Sequence, residues 1–137
     1  MALTSIELFA GAGLLGGGFE QVGSESVFAA ELDARAVASY NANIRAVAET
    51  WDVSNIKDQV NVDLLIAGPP CQGFSTLGNR DPKDRRNQLS LAVLDWVDSV
   101  EPSVIVIENV PQFVKSGYWK LLNRKMGIRG YASCVWG

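Results

Sequence analysis

The sequence predicts an α/β protein with a doubly wound, mostly parallel sheet, and three observations predict it. Short apolar runs alternate with helical patterns along the whole chain. A glycine-rich turn, Ala10 to Phe19, follows the first run and opens a helix. The glycine turn itself, Glu31, Cys71 and Glu108 close four of the runs, at the strand ends where open parallel sheets bind ligands.

The first strand is read at Ser5 to Phe9, and the glycine-rich helix ends near Val22 and Gly23. Glycine in a helix costs about 1 kcal/mol per residue relative to alanine, so something approaches this backbone closely. A ligand at the turn and tight packing of helix on sheet both fit. Gly11, Gly13 and Gly16 match a G-x-G-x-x-G spacing, and Gly17 and Gly18 follow. The second strand, Val27 to Glu31, ends about 20 residues past the turn, where nucleotide sites place a carboxylate against ribose hydroxyls. Asp33 fits the cap of the following helix, Ala34 to Asn43, and Glu31 is the better ligand candidate. Val37, Tyr40 and Ile44 share one face of that helix.

A short third strand is read from Ala48 to Val53, and Asp52 at its end fits either a ligand or the turn Ser54 to Ile56. The fourth strand, Val62 to Ala67, delivers Gly68-Pro69-Pro70-Cys71-Gln72-Gly73-Phe74-Ser75. A thiol there is either a buried small hydrophobe or a nucleophile. Gly73 to Arg86 reads as a long polar loop, either a solvated linker or a lid. Apolar residues at three- and four-residue spacing predict a helix from Asn87 to Val100. A fifth strand spans Val104 to Ile107 and ends in Glu108-Asn109-Val110. A carboxylate closing an apolar strand is costly to bury unless paired or functional. A helix from Tyr118 to Met126 and a sixth strand from Tyr131 to Trp136 complete the reading, with Cys134 in the core.

Composition narrows the function classes. The 137 residues suffice for one domain and include no histidine, which excludes His-based triads and His metal ligands. Two cysteines do not form a disulfide framework and cannot alone complete a structural zinc site, so no metal is expected. No apolar run reaches membrane-spanning length and no signal peptide is read at the start, so a cytoplasmic location is expected, with no membrane partner. Net charge is −3, so bulk composition does not announce a nucleic-acid binder.

Four segments, in this order and spacing, resemble the cytosine-C5 methyltransferases: Phe9-Ala10-Gly11-Ala12-Gly13 with Gly18-Phe19, Pro69-Pro70-Cys71-Gln72-Gly73-Phe74-Ser75, Asp84-Arg85-Arg86-Asn87-Gln88-Leu89, and Glu108-Asn109-Val110. The resemblance implies a Rossmann-like fold that binds S-adenosylmethionine, leaving S-adenosylhomocysteine as product, and a DNA substrate with a flipped cytosine, as in bacterial or archaeal restriction–modification systems. It implies that Phe9, Gly11, Ala12 and Gly13 line the methionine end of the cofactor. Glu31 would hold the ribose, Leu32 and Val53 would lie against adenine, and Asp52 would accept from its amino group. Pro69 and Leu89 belong to the same implied pocket. Cys71 is implied as the nucleophile, Glu108 as its acidic partner, Asn109 as an orienting group, and the loop from Gly73 to Leu89 as a catalytic lid.

The resemblance covers the family's first half. A later arginine motif, a target-recognition domain and a closing C-terminal helix are not read in residues 1–137, and the sheet is expected to stop before its last strands. A complementary polypeptide or missing second half is therefore expected as a partner. An RNA-directed member of the superfamily and a non-catalytic cofactor-binding fragment are the alternatives.

Overall fold

The computed structural model describes residues 1–59, 61–70 and 85–137. Five parallel strands form one sheet in the order β3-β2-β1-β4-β5. They are β1 (Leu3–Leu8), β2 (Ser24–Glu31), β3 (Ala48–Thr50), β4 (Leu64–Ala67) and β5 (Val104–Ile107). The helices are α1 (Leu14–Gln21), α2 (Ala34–Asn43), α3 (Arg85–Val100), α4 (Pro111–Val114) and α5 (Gly117–Ile128). The strand order reverses between β1 and β4, which opens a crevice at their carboxyl ends.

Strand periodicity divides the core between two faces. On one, Ile6, Leu8, Phe28, Ala30, Leu65 and Ala67 pack with Trp96, Val97 and Val100 of α3 and with Leu122 and Met126 of α5. Trp96 stacks on Phe28 with ring centroids 5.7 Å apart and donates Nε1–H to the Val53 carbonyl at 2.8 Å. On the other face, Ala29 and Ala48 pack against Val37 and Tyr40 of α2. Helices on both faces make the sheet doubly wound, as expected.

The sixth strand does not form. Residues 131–137 have no regular structure, and Ala132 to Gly137 are exposed. Tyr131 donates its hydroxyl to the Pro102 carbonyl at 2.6 Å, which ties the tail beside the start of β5 without pairing it to that edge. Cys134 is consequently exposed rather than in the core. Among the described residues, α4 is the helix that the sequence reading omits. Its four residues are too few to show a helical period.

Candidate active site

The site starts at the glycine-rich turn. Phe9 leaves β1 with φ 57°, a left-handed conformation that costs a non-glycine residue about 1–3 kcal/mol and is concentrated at functional sites. Gly13 caps α1 at φ 92° and has no side chain with which to accept from the helix's first N–H groups. Glu7 accepts instead, reaching up from β1 to the Gly16 N–H at 2.9 Å. Glu7 is only 2% exposed, and a Cβ on Gly16 would overlap its carboxyl. A Cβ on Gly13 would approach Ile44 to 2.6 Å, and one on Gly17 would approach it to 2.7 Å. Tight packing therefore accounts for Gly13, Gly16 and Gly17. Burial raises the Glu7 pKa, and the adjacent Tyr40 hydroxyl and Gly16 N–H offset only part of that. Tyr40 donates to Ser26 Oγ at 3.3 Å, and Glu7 Oε2 has no hydrogen-bond partner among the described residues.

Glu31 closes β2 and joins the turn to the next strand end. Its Oε2 accepts from Gly11 N–H at 2.8 Å and its Oε1 from Asp33 N–H at 2.9 Å. A carboxylate has about four acceptor positions, so two remain for a ligand. Asp33 is the α2 cap, accepting from Arg35 N–H at 2.8 Å and Ala36 N–H at 3.3 Å. Asp52 caps the turn and also lies at the cavity. Its Oδ1 holds the turn through Ser54 Oγ at 2.7 Å and Ser54 N–H at 2.9 Å, and its side chain lines the cavity. The Ser54 hydroxyl, then its N–H, lowers the Asp52 pKa, so this group is an acceptor at neutral pH.

A cleft of about 1110 Å³ lies at these strand ends. Of the residues implied for cofactor binding, Phe9, Glu31, Leu32, Asp52, Val53 and Leu89 line it. Leu32 is exposed, and Val53 is buried. Gly11, Ala12, Gly13 and Pro69 do not line it. Gly11 acts through its bond to Glu31, and Gly68 and Pro70 stand where Pro69 was expected. The sequence reading missed Trp51, Ser54, Tyr118, Lys125 and Arg129, which also line the cleft. Tyr118, Lys125 and Arg129 lie seven and four residues apart, one face of a helix, and that spacing is the signal that identifies them.

At the β4 and β5 ends, Glu108 N–H donates to the Ala67 carbonyl at 2.9 Å, and Asn109 Nδ2 donates to the Pro69 carbonyl at 3.1 Å. Asn109 Oδ1 accepts from Val110 N–H at 2.8 Å. Asn109 thus braces the segment that leads to Cys71. Cys71 and the loop from Gly73 to Asp84 lie outside the described residues. Glu108 is exposed, not buried as its place at the end of an apolar strand suggested, and β5 is the edge strand among the described residues.

A parallel sheet with its cleft at the order reversal, a glycine turn on one side and carboxylates on the next two strands defines a Rossmann-like fold. Among solved structures, the S. pombe Dnmt2 methyltransferase is similar at 28% identity with a TM-score of 0.76, over 92% of this chain and 42% of that one. The profile of the C-5 cytosine-specific DNA methylases matches residues 3–134, and the chain belongs to that family. Type II methyltransferase M.DdeI of Desulfomicrobium norvegicum is 43% identical over 95% of this chain. Type II methyltransferase M.AgeI of Thalassovita gelatinovora is 38% identical over 79% of it. The chain spans 34% and 28% of those two proteins, about a third of their length.

Proposed function

We propose that residues 1–137 form the cofactor-binding and catalytic part of a DNA cytosine-5 methyltransferase. The observation that carries this reading is the convergence of Phe9, Glu31, Leu32, Asp52, Val53 and Leu89 on one cleft at the strand ends. These residues suit S-adenosylmethionine. Glu31 offers free acceptor positions to ribose hydroxyls, Asp52 is an ionised acceptor for an amino group, and Leu32 and Val53 give apolar surface for a base. When bound, S-adenosylmethionine supplies the electrophilic methyl group that cytosine carbon 5 takes.

In this reading the protein makes carbon 5 nucleophilic. The Cys71 thiolate adds to carbon 6 of a cytosine turned out of the duplex, and the ring electrons move toward carbon 5. Glu108 hydrogen-bonds N3 and the exocyclic amino group and so offsets charge gathering on the ring. Asn109 keeps the Pro69 carbonyl in place and with it the approach to Cys71. Loss of the carbon 5 proton to a base then expels the Cys71 thiolate and restores the aromatic ring.

The test is transfer of labelled methyl from S-adenosylmethionine to duplex DNA and, in parallel, to transfer RNA. It is run with the chain alone and with a C-terminal half of a relative supplied in trans. The expected result is label in duplex DNA, abolished by Cys71→Ser and slowed at least about 100-fold by Glu108→Gln. Normal turnover by Cys71→Ser contradicts the mechanism. Label only in transfer RNA contradicts the substrate, and tight cofactor binding without transfer under any condition favours a non-catalytic role.

A further inference from the structure

Charge is divided unequally along this chain. Residues 1–108 carry all fifteen Asp and Glu, whereas Lys115, Lys120, Arg124, Lys125 and Arg129 fall in the last 29 residues with no acid among them. These five cations lie on α5 and its approaches. Arg129 is paired with Asp98 of α3, Nε to Oδ1 at 2.6 Å, and Lys125 lines the cleft. Lys115, Lys120 and Arg124 are exposed, and none of them has an ion-pair partner among the described residues.

Helix stability does not account for Lys120 and Arg124. The positive end of the helix dipole lies at Gly117, where acids are favoured, yet the first turn has none and Lys115 and Lys120 flank it. Lys115 follows the carboxyl end of α4, and Lys125 and Arg129 lie at the carboxyl end of α5, where cations suit the dipole. Lys120 and Arg124 are like charges at i and i+4, about 6 Å apart along the axis, a destabilising pair. The buried side of α5, Leu122 and Met126, points away from them into the core. A local rule broken on an exposed face, with no ion pair among the described residues to compensate it, is a mark of a functional surface. Exposed cations without an ion-pair partner among the described residues, on and just before one helix of an otherwise acidic protein, suit a polyanion.

We propose that the exposed face formed by Lys120 and Arg124 of α5, with Lys115 just before the helix, is a docking surface for the phosphate backbone of duplex DNA. The proposal rests on the DNA substrate of the preceding section and adds where the duplex is held. Backbone contacts carry no base information, so the surface orients the duplex and leaves sequence choice to other residues.

The experiment measures binding of the full chain to a short A·T-only duplex by fluorescence anisotropy, between about 50 and 200 mM salt. The comparison is Lys115→Gln/Lys120→Gln/Arg124→Gln. The expected result is a salt slope reduced by about 2–3 in the triple variant, because each phosphate left without its cation removes about 0.9 from the slope. Its thermal midpoint should be no lower than that of the unaltered chain, because repulsion on α5 is relieved. An unchanged slope, or absence of salt-dependent binding by the unaltered chain, overturns the proposal. Tighter binding of double-stranded RNA of the same length overturns the assignment to DNA. The duplex contains no cytosine, so methyl transfer does not enter. A chain that docks this duplex through α5 yet never transfers methyl supports the docking surface and contradicts the catalytic reading alone.

Discussion

The rim formed by β1 and β2 and the rim formed by β4 and β5 both end in a glutamate, but the two ends are built differently. At the first, Glu7 is sealed under α1 and Glu31 is fixed by two backbone N–H groups. At the second, Glu108 is exposed, and Asn109 supplies one side-chain bond to the neighbouring strand end. The carboxylates differ in the same way: Glu7 is 2% exposed, whereas Glu108 is exposed. The first rim is held together by its own hydrogen bonds, and in the proposed reading it is the cofactor's rigid receptor. At the second, the exposed Glu108 carboxylate is the group that the proposal sets against the base.

The largest effect should come from Gly16→Ala at the sealed rim. The added methyl overlaps the Glu7 carboxyl, and both α1 and the turn must shift. A loss of about 3 kcal/mol, or roughly 10 °C in the thermal midpoint, is expected by calorimetry. A variant as stable as the unaltered chain would show that the rim is not tightly packed.

Glu7→Gln sharpens the same point through pH. Burial raises the Glu7 pKa, so the folded chain holds this proton more tightly than the unfolded one. Its contribution to stability is therefore full below the ordinary carboxylate range and is lost as pH rises through the raised value. Gln keeps an acceptor for the Gly16 N–H without the charge. Glu7→Gln should match or exceed the unaltered chain at neutral pH and flatten that part of the pH dependence in denaturant titrations. Glu7→Ala, which leaves the Gly16 N–H unpaired, should cost about 2 kcal/mol. A Glu7→Gln chain that keeps the full pH dependence would assign it to another group.

At the open rim, Asn109→Ala removes the single bond to Pro69. Stability should fall by only about 1 kcal/mol, with cofactor affinity nearly unchanged and methyl transfer strongly reduced. Equal losses of cofactor affinity and transfer would show that the two rims are not separate.

The parallel sheet, the order of its main elements and about a third of the cleft lining were legible in the sequence, because they rest on local pattern. Strand runs, the glycine turn and the carboxylates at strand ends each declare themselves within a few residues. The glycine spacing alone did not choose between ligand and packing. That choice depends on Glu7, Tyr40 and Ile44, which reach the turn from two other elements. Tyr118, Lys125 and Arg129 were missed because α5 meets the cleft through tertiary packing on α3, which leaves no mark near the recognised motifs. The segment 131–136 has strand composition, yet a strand also needs a paired neighbour, and the edge of β5 does not take it.

The central claim is that the first rim is a preformed site for S-adenosylmethionine organised by Glu31. Calorimetric titration of S-adenosylhomocysteine into the unaltered chain and into Glu31→Ala, with thermal midpoints recorded for both, tests it most directly. The account predicts saturable binding to the unaltered chain at one site and an affinity about 10–100-fold weaker for a folded Glu31→Ala. No binding to the unaltered chain, or equal affinity for the two, would contradict it.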